Sequence, residues 1–165
     1  DQKLALLKDG EVVRKYTIST SRFGLGDTYG SYRTPVGRLK ISEKIGDGLP
    51  AGAVIKHRNP TGEVLAPNAP GRDPIVTRIM WLNGMEPTNS NAYARCVYIH
   101  GTPDEKHLGR PVSYGCVRMR SSDVIELYSG VPVGTEVSIV KGRLPGSGLN
   151  GLFAMLKGPE TPVRL

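Results

Sequence analysis

The chain has 165 residues, a formal net charge of +7 and an isoelectric point of about 9.6. This length favours one domain with its own hydrophobic core, and the lack of any long apolar run means that no membrane span is predicted. The basic balance favours an anionic partner, but the cations are scattered and no nucleic-acid-binding motif is present, so nucleic acid is not predicted as the partner.

The composition, with 21 Gly and 13 Pro, predicts a β-rich chain with many turns. The first element is a β-hairpin around Asp9-Gly10, because this pair accepts the positive φ angles of a tight turn. A Gly-rich loop and a strand over residues 38–45 follow. The segment 46–90 is predicted to be a long insertion, with a turn-rich surface loop over residues 59–74 and a strand over residues 75–82.

Residues 94–100 alternate in polarity and predict a strand, with Cys96, Tyr98 and His100 on one face. Residues 121–130 give the strongest helical pattern of the chain, with Ser and Asp at the start and Gly at the end. A last strand is predicted over residues 134–140.

Cys116, in the polar turn-like segment SYGCVR, allows four interpretations. It could be a buried core residue, which is common for a free cysteine. It could form a disulfide with Cys96, or join His57, His100 and His107 in a zinc site. It could also be a nucleophile with His100 as its base.

Local features favour the nucleophile. Gly115 lets the backbone bend beside the thiol, Ser113 and Tyr114 make the preceding step polar, and a predicted helix follows, whose positive end favours a thiolate. The backbone N–H groups of Gly115 and Cys116 are natural donors for an oxyanion hole. The histidines and cysteines lack metal-ligand spacing. A strand from Cys96 to His100 would hold Cys96 about 13 Å from His100, too far for a thiol that bonds to both.

The same residues resemble a known signature, that of the L,D-transpeptidase catalytic domain or YkuD-like family. The resemblance rests on a His-Gly pair, a loop, and a Ser-x-Gly-Cys-x-Arg segment, with a Thr-Pro-x-Gly segment upstream, and it covers roughly residues 2–141. The matching positions are His100, Gly101, Ser113, Gly115, Cys116 and Arg118, together with Thr34, Pro35 and Gly37. Tyr114 departs from the family pattern, which often has a basic residue there.

The resemblance implies a mostly β, β-sandwich-like catalytic domain over residues 1–141, with one short helix after the catalytic cysteine. The Gly- and Pro-rich extension 142–165 is expected to pack on or near that domain. The implied activity is peptidoglycan L,D-transpeptidation: a thioester with the third residue of a stem peptide, release of D-Ala, and transfer to an amine, giving a 3→3 cross-link or attaching a protein. A hydrolytic carboxypeptidase or amidase, and a non-catalytic peptidoglycan-binding module, are the alternatives.

Individual roles follow from the resemblance. Cys116 and His100 would be catalytic, and the carbonyl of Gly101 would orient His100. Arg118, Ser113 and Tyr114 are candidate substrate contacts, although a structural salt bridge for Arg118 and a turn role for Ser113 are equally open.

The resemblance also implies peptidoglycan stem peptides as the partner, no metal and no organic cofactor, sensitivity to carbapenems, a part in cell-wall biogenesis and cell shape, and a location in the periplasm or cell wall. The first residues do not read as a signal peptide. The start at Asp1, within a strand-like run, is expected of a trimmed product.

Overall fold

The computed structural model of the protein describes residues 1–144 and 152–157. These residues form ten strands, one α-helix and two short 3-10 helices. The strands are β1 (Lys3–Lys8), β2 (Glu11–Ser19), β3 (Gly37–Ile45), β4 (Ala53–Lys56), β5 (Asn59–Val64), β6 (Val76–Gly84), β7 (Tyr98–Gly101), β8 (Val117–Met119), β9 (Glu136–Lys141) and β10 (Leu152–Lys157). The helix α1 spans Ser121–Gly130, and the 3-10 helices span Pro87–Asn89 and Glu105–His107.

The strands form one curled sheet in the order β3-β9-β10-β1-β2-β8-β7-β6-β4-β5. Strand β3 also pairs with β6, from Leu39 opposite Gly84 to Ile45 opposite Ile79, so the sheet closes on itself. The mostly β class with one helix after Cys116 is therefore confirmed. Opposite walls of one curled sheet take the place of the two layers of a sandwich.

The main core lies on one face of the strands, because apolar side chains alternate along them. Met80 and Leu82 of β6 pack there with Ile99 of β7, and α1 covers this cluster with Val124 and Leu127. Ile79 and Trp81 of β6 face the opposite way and build a second apolar cluster with β4 and β7. Both cysteines pack against this second cluster, so the candidate site lies on the face opposite α1.

Most predicted elements are present. The hairpin around Asp9-Gly10 is present, the strands at 38–45, 75–82 and 134–140 agree with the observed strands within two residues, and the helix at 121–130 agrees at both ends.

The prediction of a surface loop over residues 59–74 is wrong in part, because residues 59–64 form strand β5, which pairs with β4 in a hairpin. Strand β5 lies at the end of the strand order and all six of its residues are exposed. An exposed edge strand shows no apolar alternation and tolerates Pro60, so the sequence pattern does not indicate it.

The strand predicted over residues 94–100 is also wrong in its first half, because β7 begins at Tyr98. The preceding residues form turns, and Cys96 has a positive φ of 57°. Arg95 does not alternate outward as a strand residue would. Its guanidinium forms an ion pair with Asp27 at 2.8 Å, with both side chains 7% exposed. The 13 Å separation of Cys96 from His100 expected for an extended strand therefore does not apply.

The predicted C-terminal extension contributes a strand to the sheet. Strand β10 pairs parallel with β1 and antiparallel with β9. The rest of the segment 145–165 lies outside the described residues. Within the part of the chain that is described, no helix is long and apolar enough to cross a membrane.

Candidate active site

Two parallel strands carry the candidate catalytic residues. His100 of β7 lies opposite Arg118 of β8, and Ile99 lies opposite Val117. Cys116 immediately precedes β8 and therefore stands beside Tyr98. Because side chains alternate along a strand, Cys116 and Arg118 share the sheet face of Tyr98 and His100.

The loop before Cys116 is held by hydrogen bonds within itself. The fully buried Ser113 donates from its hydroxyl to the Cys116 carbonyl at 2.6 Å and accepts from the Gly115 N–H at 3.2 Å. The Ser113 hydroxyl is therefore occupied by the backbone. This placement supports the turn role and argues against the expected substrate contact.

A second segment braces the same loop from outside. Thr34, which is fully buried, donates from its hydroxyl to the Gly115 carbonyl at 3.0 Å and accepts from the Ser21 N–H. Gly115 has a φ of 121°, and a Cβ there would lie 3.2 Å from the Arg33 carbonyl oxygen. Glycine is needed here for both reasons. The Thr-Pro-x-Gly segment thus supports the cysteine loop, a role that the sequence did not reveal.

His100 is buried, and its ring is oriented by the next residue. Nδ1 lies 2.7 Å from the Gly101 carbonyl oxygen, and since a carbonyl can only accept, Nδ1 carries the proton. Nε2 is then unprotonated and can accept a proton. Burial lowers the pKa of His100 to about 4, opposed in part by the Gly101 hydrogen bond, and the positive Arg118 lowers it further. The imidazole is neutral at physiological pH.

The thiol of Cys116 is also neutral in the free protein. Its Sγ accepts from the Tyr98 N–H at 3.3 Å and donates to the Cys96 carbonyl at 3.4 Å. Burial raises the pKa of Cys116 to about 11, although the Tyr98 N–H and Arg118 favour the thiolate. The thiol is therefore not a preformed thiolate, contrary to the expectation from the positive end of the following helix.

No hydrogen bond among the described residues links His100 to Cys116. The strand register puts them at diagonal positions on neighbouring strands, for which Cα separations are about 7–8 Å. The thiol proton points to Cys96 in this structure. A rotation about the Cα–Cβ bond of Cys116 would redirect Sγ along the sheet toward His100.

Arg118 has a carboxylate partner from the long insertion. Its guanidinium lies 2.5 Å from Asp73, and its side chain is only 11% exposed. The buried Thr102 donates from its hydroxyl to the same carboxylate at 2.7 Å. Arg118 therefore anchors the insertion beside His100. Nothing in the sequence indicated Asp73 as its partner.

Gly115 was expected to contribute its backbone N–H to the oxyanion hole. This N–H already donates to the Ser113 hydroxyl. A substrate oxygen would have to displace that bond.

The side chain of Tyr114 is 55% exposed and packs against Phe23 and Tyr32, with ring centroids 5.6 and 5.8 Å away. Tyr114 remains available as a substrate contact next to the thiol.

The disulfide and zinc interpretations of Cys116 do not agree with the structure of the described residues. Both cysteines are free, so the disulfide is not formed. His57 is exposed at the β4–β5 turn, and His107 bonds to the Asp104 carboxylate at 2.7 Å. In the described part of the chain, no group of three or more His, Cys, Asp or Glu side chains is placed to hold a metal ion.

The comparisons with known proteins identify the family of the chain. The family model described as "YkuD: L,D-transpeptidase catalytic domain" matches residues 1–139. The chain belongs to the YkuD family. Within that family, the chain is 56% identical over 41 residues to the putative L,D-transpeptidase YkuD of Bacillus subtilis, covering 25% of each chain. It is 46% identical over 46 residues to the probable L,D-transpeptidase ErfK/SrfK of Escherichia coli, covering 28% of this chain and 15% of that one.

These matches to the curated YkuD-family relatives span only a quarter or less of their length. Among solved structures, the chain is similar to an L,D-transpeptidase from Mycobacterium smegmatis at 19% identity, with a TM-score of 0.47. That likeness covers 82% of this chain and 57% of the other.

Gly101→Ala should destabilise this YkuD-family domain, because a Cβ there would lie 2.5 Å from the Val76 carbonyl oxygen of β6. The backbone of β6 cannot shift without loss of packing, so β7 would move away from β6. This movement should lower the free energy of unfolding by about 2 kcal/mol. Urea unfolding measures this loss. Gly130→Ala, where nothing lies within 4 Å, is the matched control. Equal stability of the two variants would contradict the close β6–β7 approach.

The neutral thiol predicts a pH dependence of alkylation. Because the pKa of Cys116 is about 11, its reaction with iodoacetamide should quicken about tenfold per pH unit from pH 7 to 10. Rates are followed by intact mass, with Cys116→Ala reporting the background from Cys96. A rate that is flat above pH 7 would indicate a thiolate already formed at neutral pH.

Proposed function

We propose that the chain is the catalytic part of a peptidoglycan L,D-transpeptidase in which Cys116 is the nucleophile and His100 the base. The placement of both side chains on one face of two adjacent strands supports this most directly. His100 offers an unprotonated Nε2, because Nδ1 is committed to Gly101. The YkuD-family match supports the same chemistry.

Acylation begins from a neutral thiol and a neutral imidazole. The pKa values of Cys116, about 11, and His100, about 4, lie far apart. Proton transfer before attack is therefore unfavourable. Sγ attacks the carbonyl carbon of the third stem residue while its proton moves to Nε2 of His100. The oxygen becomes an oxyanion held by backbone N–H groups near Cys116.

Collapse of this intermediate breaks the peptide bond. His100 returns the proton to the departing D-Ala nitrogen, and a thioester on Cys116 remains. A side-chain amine of a second stem then attacks the thioester carbonyl and gives its proton to His100. The new amide forms, the thiol of Cys116 is restored, and the product is a 3→3 cross-link.

The charge of the whole chain fits an anionic polymer as substrate. The net charge of +7 favours stems that carry carboxylates. Peptidoglycan stem peptides are thus the proposed partner, which places the enzyme in the periplasm or cell wall. Arg118 is proposed to act by positioning, since Asp73 already occupies its guanidinium.

The decisive assay incubates the purified chain with tetrapeptide stems and identifies the products by mass. We expect 3→3 dimers together with free D-Ala, and neither with Cys116→Ala. Tripeptides without dimers would instead show the hydrolytic carboxypeptidase, in which water resolves the thioester. Binding of stems without any product would show a non-catalytic binding module.

Asp73→Asn should separate the two roles of Arg118. Loss of the carboxylate leaves the nearly buried guanidinium of Arg118 without its ion-pair partner and should lower stability by about 1–3 kcal/mol. We expect a lower melting temperature with near-normal stem turnover by the folded fraction. Asp104→Asn, which removes a carboxylate paired with His107 instead, is the control. An Asp73→Asn variant of unchanged stability but poor turnover would point to direct participation in catalysis.

A further inference from the structure

A row of side chains crosses the outer face of the sheet from the candidate nucleophile. Tyr98 stands beside Cys116, Trp81 lies opposite Tyr98, and Glu43 lies opposite Trp81. Neighbouring strands are about 4.8 Å apart, so Trp81, two strands away, lies about 10 Å from Cys116. The row therefore extends from the thiol across β7 and β6 to β3.

Arg58 lies over this row. It comes from the β4–β5 turn, where both central residues have positive φ, 49° for His57 and 65° for Arg58. This turn places the guanidinium 4.9 Å from the Trp81 ring centroid and beside Tyr98. Tyr93 stacks on Trp81 with centroids 4.3 Å apart, so the indole lies between Tyr93 and Arg58.

The guanidinium of Arg58 keeps free donor capacity. The residue is exposed, and none of the ion pairs among the described residues includes it. An arginine carries five N–H donors in a planar fork, and stacking on the Trp81 ring does not use them as hydrogen-bond donors. A fork fixed on an aromatic ring is arranged to take a carboxylate through two parallel hydrogen bonds.

We propose that Arg58 is a specificity-determining residue that binds a free carboxylate at the end of the side chain of the third stem residue. This inference rests on the proposed function, which places the carbonyl of that residue at Cys116. A diamino-acid side chain with a lysine-length carbon stem would run from the thiol across the surface above Tyr98, which is itself buried, toward the exposed Arg58. There a terminal carboxylate would meet the guanidinium. The enzyme would then select stems whose third residue bears this carboxylate over stems that carry an amide.

The first test compares three tetrapeptides that are identical except at their carboxylates: both free, the side-chain carboxylate amidated, or the C-terminal carboxylate amidated. We expect wild type to release D-Ala from the first with a kcat/KM at least about tenfold above that of the side-chain amide. Arg58→Gln should reduce this ratio to within about twofold, while Arg58→Lys should keep part of it. A preference that follows the C-terminal carboxylate instead would overturn the assignment.

The control is Lys56→Gln. Ile55 packs on the row, so its neighbour Lys56 points away from it while carrying the same charge on the same hairpin. We expect Lys56→Gln to keep the wild-type ratio. Equal loss of ratio in Lys56→Gln would show a general charge effect. Equal loss of turnover for all peptides in Arg58→Gln would show that Arg58 only supports Trp81 and Tyr98. Either result would refute the proposal.

A binding measurement keeps the inference separate from catalysis. Calorimetric titration of the peptides into Cys116→Ala requires no turnover. We expect tighter binding of the free side-chain carboxylate than of its amide, and loss of this difference in the Cys116→Ala/Arg58→Gln double variant. If wild type processes none of the peptides but this difference in binding persists, the proposed reaction fails and the Arg58 assignment stands. Equal binding, or none, would refute the assignment itself.

Discussion

Cys116→Ala is expected to abolish formation of both the thioester and the cross-linked product. Removal of the sulfur takes away the atom that forms the covalent bond, and no other group can replace it. The fold should remain intact, because Cys116 is partly exposed and its carbonyl, not its side chain, bonds to Ser113. Mass analysis of stem peptides measures the activity, and circular dichroism checks the fold.

Cys96→Ala is the matched control, since Cys96 is the second free thiol and lies next to the first. It touches Cys116 through its backbone carbonyl, which the substitution retains. Activity should therefore persist, with a loss of stability on the order of 1 kcal/mol. Because Cys96 lies in a turn and not on the strand predicted for it, its carbonyl can hold the Cys116 proton in the free enzyme.

A carbapenem provides a second readout of the same thiol. Its strained amide carbonyl should acylate Cys116 and add one carbapenem mass to the peptide that contains it. Prior alkylation of Cys116 should block this labelling, and Cys96 should stay unlabelled because it lacks a positioned base. Persistent stem turnover by Cys116→Ala, or equal labelling of both cysteines, would exclude Cys116 as the nucleophile.

The elements that the sequence predicted well are those with strong local signals. Asp9-Gly10 enforces a tight turn, and the segment 121–130 has a buried stripe that includes Val124 and Leu127, although its N-cap is Arg120 and no side chain caps it. Strand β5 was not predicted, because all its residues are exposed and show no apolar alternation. The alternation over 94–100 predicted a longer strand, because the burial of Arg95 against Asp27 depends on residues distant in sequence.

The residues of the candidate site were likewise predicted only in part. Cys116, His100 and Gly101 belong to the motifs that carry the resemblance, so the resemblance indicates them. The partners that surround them come from segments without a recognisable pattern. Asp73 and Arg58 belong to the long insertion, and only folding brings them to Arg118 and to the row beside the thiol.

The protonation states could not be predicted from the motif at all. A cysteine before a helix suggested a low pKa, whereas burial among apolar side chains raises that of Cys116 to about 11. The same physical cause lowers that of His100 to about 4. Burial disfavours either charged form, so the pair rests uncharged until substrate arrives.

His100→Ala should lower the acylation rate by roughly 10² or more, the usual scale for a positioned general base. His100→Gln should be equally impaired, although its amide can still donate to the Gly101 carbonyl, because it has no basic nitrogen. Release of D-Ala in single turnover measures the rate. His57→Ala and His107→Ala are the controls, and both should remain near wild type, since these side chains lie away from the thiol.

The pH dependence separates a base from a structural histidine. A general base must be unprotonated, so activity is present above its pKa and falls below it. With the pKa of His100 at about 4, kcat/KM should hold from neutral pH down to about 5, reach about half near pH 4 and fall about tenfold per pH unit below that. An ordinary histidine would begin this fall near pH 6.5. A decline that starts there in wild type would show that His100 is hydrated in the working enzyme, and comparable losses in all three histidine variants would contradict a single base.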